Sequence, residues 1–143
     1  MRKKDICVDF DGTCVVHEFP AIGRDVPGAV QTLKALVDKG HRLILFTMRS
    51  DRRKVGGVGG EEIEDVAGDF LTNAVKWFAL RDIPLHGIQR HPTQDTWTTS
   101  PKAYGNIYID DAALGCPLYH NPSGRPYVDW ERVTDLLKMQ GVL

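Results

Sequence analysis

Ile6-Cys7-Val8-Asp9-Phe10-Asp11-Gly12-Thr13 is a short apolar run that stops at two aspartates, one residue apart, and then turns on a glycine. Ile6, Cys7 and Val8 suit a buried strand, and Asp9 does not suit its continuation. Ligands of an open parallel sheet bind just beyond the carboxyl ends of its strands. Residues two apart on an extended chain face the same way. Asp9 and Asp11 are therefore expected to address one ligand from the end of a central strand.

Outward from this stretch, residues 14–25 read as a loop, with Asp25 as an N-cap and Pro27 in the first turn of a helix. Val26, Val30, Leu33 and Val37 recur at helical spacing, and Gly40 supplies the stop. Leu43-Ile44-Leu45-Phe46 predicts a second buried strand that ends at Thr47. Residues 48–60 form a polar, basic, glycine-rich loop. Ile63, Val66, Ala67, Phe70, Ala74, Trp77 and Phe78 then mark one face of a long helix reaching about Arg81. Leu85-His86-Gly87-Ile88 is a weaker third strand, and residues 90–103 a loop. Asn106-Ile107-Tyr108-Ile109 is a fourth strand that stops at Asp110-Asp111. Residues 112–128 read as irregular, and Asp129 caps a closing helix from Trp130 to Met139. Strands alternating with helices predict a parallel sheet covered by helices, a three-layer Rossmann-like α/β fold spanning residues 1–143 as one domain.

Composition narrows the function classes. At 143 residues, 42% hydrophobic and 26% charged, the chain reads as an ordinary soluble globular domain. A formal net charge of -1 gives no general argument for nucleic acid or a membrane as partner. Three cysteines without a CxxC pair do not make a disulfide framework, which predicts a reducing, cytoplasmic setting. Met1-Arg2-Lys3-Lys4 opens like a signal peptide, but Asp5, Asp9 and Asp11 interrupt any apolar core of one.

Three strand ends are polar: Asp9 with Asp11, Thr47, and Asp110 with Asp111. In a parallel sheet these lie on one edge, and Lys102, eight residues before Asp110, can return to it. Two like charges ~4 Å apart repel by ~4 kcal/mol at an effective dielectric of about 20, so a cation or a proton must relieve the cluster. Oxygen-only ligands favour a hard ion, and Mg²⁺ is the expected cofactor. Asp9 can then attack phosphorus and form an aspartyl-phosphate. Asp11 can protonate the leaving oxygen and later take a proton from water. Thr47 and the backbone N–H of Met48 can hold phosphoryl oxygens, and Lys102 can supply positive charge to them. Gly12, Thr13, Met48 and Arg49 are the remaining substrate-binding candidates, Arg49 being nearest the phosphoryl pocket on the 49–60 loop.

Together these residues resemble the haloacid dehalogenase (HAD) superfamily of aspartate-nucleophile phosphatases. Asp9-Phe10-Asp11-Gly12-Thr13 is similar to its first motif, Thr47 to its second, Lys102 to its third and Ile109-Asp110-Asp111 to its fourth. The resemblance implies that Asp9 is nucleophile and metal ligand. It implies that Asp11 is acid/base and gives a backbone carbonyl to Mg²⁺, with Asp110 and Asp111 completing the protein's ligands. The short spacing between motifs leaves no room for a cap domain, as in the small capless members. The expected partner is a phosphorylated substrate, either a small molecule or a nucleotide or polynucleotide end, and no membrane.

Competing readings are weaker. A calcium loop opening at Asp9 needs a glutamate at its twelfth position, which is Pro20. Lys76 rivals Lys102 as the phosphoryl-binding lysine. His86, His91, His120 and Cys116 lack zinc spacing and read as surface or packing residues, as does Cys14. A phosphate- or metal-binding module without turnover is the alternative from another class. Tyr119, Tyr127 and Trp130, in the tail 116–143, suit either a packed end or a contact between copies in a homo-oligomer.

Overall fold

Four short parallel strands carry the fold in this computed structural model, which describes residues 2–60 and 62–143. They are β1 (Asp5–Val8), β2 (Arg42–Leu45), β5 (Gly87–Ile88) and β6 (Ile107–Ile109), in the order β5-β2-β1-β6. Val8 pairs with Leu45 on one side and Ile109 on the other. That register brings Asp9, the residue after Leu45-Phe46, and Asp110 to one edge of the sheet.

Strand alternation separates two faces. Ile6, Val8, Leu43, Leu45 and Ile109 point to one, where they pack against all three helices. Those helices are α1 (Ala29–Asp38), α2 (Phe70–Leu80) and α3 (Trp130–Met139). The steps from β1 to β2 and from β2 to β5 run in one direction across the sheet. Right-handed crossovers then place α1 and α2 on the same side. The return from β5 to β6 runs the opposite way and covers the second face, where Cys7, Ile44, Ala103 and Phe46 pack together. The third layer is thus the irregular segment 89–106 with one short helical turn at Gln94–Thr96, in place of a helix.

One glutamine organises that segment. Gln94, fully buried, donates from Nε2 to the carbonyls of Ser100 (3.1 Å) and Lys102 (2.5 Å). Its Oε1 accepts from the backbone N–H of His91 (3.2 Å) and Tyr104 (2.9 Å). All four hydrogen-bonding positions of the amide are used.

Two expected elements differ. The basic loop and the first half of the long helix are instead an antiparallel hairpin, β3 (Arg52–Gly56) with β4 (Ile63–Ala67). The apolar residues of β4 fit a helical stripe by spacing, but Ile63 is exposed and pairs with Gly56. Asp51, just before the hairpin, caps the helix just after it: Oδ1 accepts from Leu71 N–H and Thr72 N–H, both at 2.9 Å. The first helix begins at Ala29 rather than after Asp25. Asp25 instead accepts from Trp77 Nε1 (2.8 Å) and from Arg81 (3.0 and 2.8 Å), tying the 14–25 loop to α2. The closing helix runs as expected, with Asp129 accepting from Arg132 N–H. The stretch before it holds a further small hairpin, β7 (Leu118–Tyr119) with β8 (Tyr127–Val128). Among the described residues no helix is long and apolar enough to cross a membrane.

Candidate active site

The carboxyl edge of the sheet opens into a cleft of ≈ 550 Å³, lined by Asp9, Asp11, Thr47, Met48, Arg49, Asp110 and Asp111 together with His17, Phe19, Ala112 and Arg125. Asp9, Asp110 and Asp111 each offer a carboxylate oxygen, and these oxygens lie within 4.8 Å of one another. Sheet register sets the cluster: Asp9 N–H donates to Ile109 O (3.0 Å), locking the two strand ends together.

Thr13 is the brace behind it. Its hydroxyl is fully buried, lies 3.0 Å from Asp9 Oδ2 and 3.5 Å from Asp111 Oδ1, and accepts from Asp111 N–H at 3.2 Å. Thr13 O in turn accepts from Trp130 Nε1 at 2.7 Å. Gly12 is dictated by space as well as by its φ of +82°, since a Cβ there would stand 2.4 Å from Asp111 Oδ2. Gly12 and Thr13, expected to touch substrate, turn their N–H groups inward to Val15 O (2.7 Å) and Phe10 O (3.1 Å). They shape the cluster rather than line the cleft.

The crowding raises the affinity of the cluster for protons. Burial, then the hydrogen bond with Asp111 and the charge of Asp110, pushes Asp9 up to about 8. Asp110 is raised too, by burial first and by Asp111 next. Three carboxylate oxygens at this density could hold a hard cation.

Asp11 stands apart from this cluster. Arg49 grips both its oxygens, Nε on Oδ2 at 2.7 Å and Nη2 on Oδ1 at 2.8 Å. The guanidinium also donates to the carbonyls of Ala21 (2.8 Å), Phe70 (3.1 Å) and Pro20 (3.3 Å). Its plane lies near the rings of Phe10 and Phe19, 5.1 and 5.0 Å from their centroids. All five donors are committed and the residue is 2% exposed. Arg49 is therefore held by the protein itself, a positioning group for Asp11 with no donor left for a phosphoryl oxygen.

Thr47 and Met48 form the opposite lip. Gln89 shapes it, donating from Nε2 to Thr47 O (2.7 Å) and Arg49 O (3.0 Å) and accepting from Thr47 N–H (2.9 Å). Gln89 holds a left-handed backbone (φ 65°) to reach there. Thr47 Oγ1 accepts from Arg49 N–H (3.1 Å), which leaves its hydrogen free to donate. Met48 N–H finds no acceptor among the described residues, and Met48 is 98% exposed.

Lys102 is not brought to the cleft. Its ammonium stands 5.5 Å over the ring of Tyr108, beside Trp97 and Tyr104 on the second face of the sheet. Lys76 is exposed on α2 and does not line the cleft either. Besides Arg49, the cation that lines it is Arg125, from the β7–β8 turn, with Nη1 2.9 Å from His17 Nε2. Arg125 and Gln89 have no motif spacing that sequence reasoning could use; they reach the site only through loop packing.

No protein-family model matches this sequence, and no curated protein matches it. A solved structure of a conserved protein from Bacteroides thetaiotaomicron matches with a TM-score of 0.68 and 30% sequence identity, covering 97% of this chain and 93% of that one. At that identity over nearly the whole of both chains, this chain belongs to the same family as that conserved protein.

Proposed function

We propose that this chain is a capless, Mg²⁺-dependent phosphatase of the HAD type that hydrolyses phosphomonoesters. The observation that carries the reading is the gathering of Asp9, Asp110 and Asp111 within 4.8 Å at the carboxyl edge of a parallel sheet, with Asp11 lining the same cleft. Asp9, Asp110 and Asp111 would hold the Mg²⁺, which when bound offsets the negative charge of phosphate and carboxylates.

An Asp9 oxygen attacks phosphorus, the bond from phosphorus to the ester oxygen breaks, and the leaving oxygen takes a proton from Asp11. Water then attacks the aspartyl-phosphate and gives its proton back to Asp11, freeing Asp9 and phosphate. Asp11 exchanges protons only when one of its oxygens leaves Arg49, so that release is part of each turnover. Thr47 Oγ1 and Met48 N–H are the donors available to the phosphoryl oxygens, and Arg125 is the cation available to a substrate anion.

The grip of Arg49 on both Asp11 oxygens favours a second reading, a phosphate- or metal-binding module without turnover. One experiment separates them. Phosphate release is measured with and without Mg²⁺ on a chromogenic ester, sugar phosphates, nucleotides and phosphorylated oligonucleotide ends, using wild type, Asp9→Asn and Asp11→Asn. Metal-dependent turnover that both variants lose supports the phosphatase. Mg²⁺ binding with no turnover on any ester supports the module.

A further inference from the structure

We propose a second metal site, for a zinc-type divalent ion, built by Asp5, His86 and His91 at the amino end of β1. Asp9 lies at the opposite end of that strand. One ligating atom from each of the three residues lies within 4.8 Å of the other two. Sequence spacing hides the site. His86 precedes β5, and the turn after it folds so tightly that a Cβ on Gly87 would stand 2.3 Å from Arg90 O. That reversal brings His91 back beside His86, with ring centroids 5.3 Å apart.

The orientation of His91 is the second, independent observation. Nε2 is buried with no hydrogen-bond partner. It lies 3.3 Å from Asp5 Oδ2, at ion-pair distance but without making a hydrogen bond, so it is aimed into the cluster and left unsatisfied there. Such a buried nitrogen is costly unless something binds it. The other ring nitrogen, Nδ1, accepts from the backbone N–H of Thr93 at 3.2 Å and stands 2.9 Å from the Thr93 hydroxyl. Ligation through Nε2 would move the ring proton to Nδ1, where that hydroxyl accepts it and the N–H contact is given up. Metal-ligating histidines take that second form, with one nitrogen on the ion and the other donating to an oxygen. Thr93 is exposed, so water can take its backbone N–H.

Asp5 is prepared in the same way. Arg42 holds Oδ1 at 2.5 Å and leaves Oδ2 for the ion. Two imidazoles, one carboxylate and an exposed side at His86 match the three-ligand zinc sites that keep a position for water. Imidazole donors separate this site from the all-oxygen cluster at Asp9, which prefers a harder ion.

The test is Zn²⁺ titration of the full chain by calorimetry, with Co²⁺ as a visible-absorption probe, on wild type, His86→Ala and Asp110→Asn. His86 is exposed, so His86→Ala should unfold at the wild-type temperature without metal. Wild type is expected to bind Zn²⁺ and to be stabilised by it against heat. His86→Ala should weaken that binding roughly ten-fold or more and lose the stabilisation and the imidazole-type Co²⁺ spectrum. Asp110→Asn should retain all three. Absence of Zn²⁺ binding, or binding that Asp110→Asn removes and His86→Ala leaves intact, overturns the site. Neither result depends on phosphatase activity.

Discussion

Replacing Arg49 with Met should be among the most damaging single changes in this chain. The side chain is 1% exposed and that of Asp11 13%, so the variant strands a carboxylate with little access to water. Breaking a buried ion pair by removing one partner costs about 3–5 kcal/mol. Loss of the charge beside Phe10 and Phe19 adds about 0.5–1 kcal/mol for each ring, partly offset by the apolar packing of Met. A net loss near 4 kcal/mol lowers the melting temperature by roughly 12–16 °C at this chain length. Urea midpoints at constant slope measure it. Asp11→Asn in the Arg49→Met background should then cost less than in wild type, giving a coupling of at least about 2 kcal/mol. Arg49→Lys should recover only part of the loss, because an ammonium cannot reproduce the two-pronged contact. An Arg49→Met variant within about 1 kcal/mol of wild type, or additive behaviour in the cycle, would refute the reasoning.

Three further outcomes follow from the geometry. Metal-free protein should lose stability as pH rises from about 4 to about 8, because Asp9, pushed up to about 8, holds a proton in the folded state that it has lost in the unfolded one. The fall between pH 5 and 8 should reach up to about 4 kcal/mol, and Asp9→Asn or saturating Mg²⁺ should flatten it; a rising curve in EDTA contradicts the raised value. Gly12→Ala should destabilise by about 2 kcal/mol or more and weaken Mg²⁺ binding, read by melting and calorimetry, since its Cβ must displace the Asp111 carboxylate. Gln94→Leu strands two backbone donors and two carbonyls of the 89–106 segment, at about 2–4 kcal/mol, with hydrogen exchange rising at His91 and Tyr104 N–H if the assignment holds.

Legibility in the sequence followed the range of the interactions involved. Strands β1, β2 and β6 were readable because each is a short apolar run closed by a polar residue, β5 (Gly87–Ile88) only weakly so, and parallel pairing then aligned Asp9, Thr47 and Asp110 at one edge. The Asp129-capped helix was readable for the same local reason. The β3–β4 hairpin was not: Ile63, Val66 and Ala67 sit at positions that fit a helical stripe, and they lie in a pair exposed enough that burial leaves no period-two signature. Arg49 was visible as a basic residue near the site, but its partners come from Asp11, Pro20, Ala21 and Phe70, on three separate segments. Lys102 was placed by its distance from Asp110, and the carbonyl contact with Gln94 turns its backbone another way. The joining of His86 and His91 to Asp5 depends on a reversal after Gly87 that no spacing rule encodes.

The four aspartates of the cleft differ in how the protein treats their charge. Asp11 has its own cation, in van der Waals contact and shielded from water, so folding alone satisfies it. Asp9, Asp110 and Asp111 are packed together instead, and among the described residues no Lys, Arg or His stands within ion-pair distance of them. A fold selected for stability alone would neutralise such a cluster as it neutralises Asp11, because burying like charges together costs more than pairing them. The cluster is tolerable where a bound cation recovers that cost. In the proposed mechanism Asp11, tethered to Arg49 and outside the Asp9–Asp110–Asp111 cluster, would be the one cleft carboxylate able to exchange a proton without giving up a metal ligand.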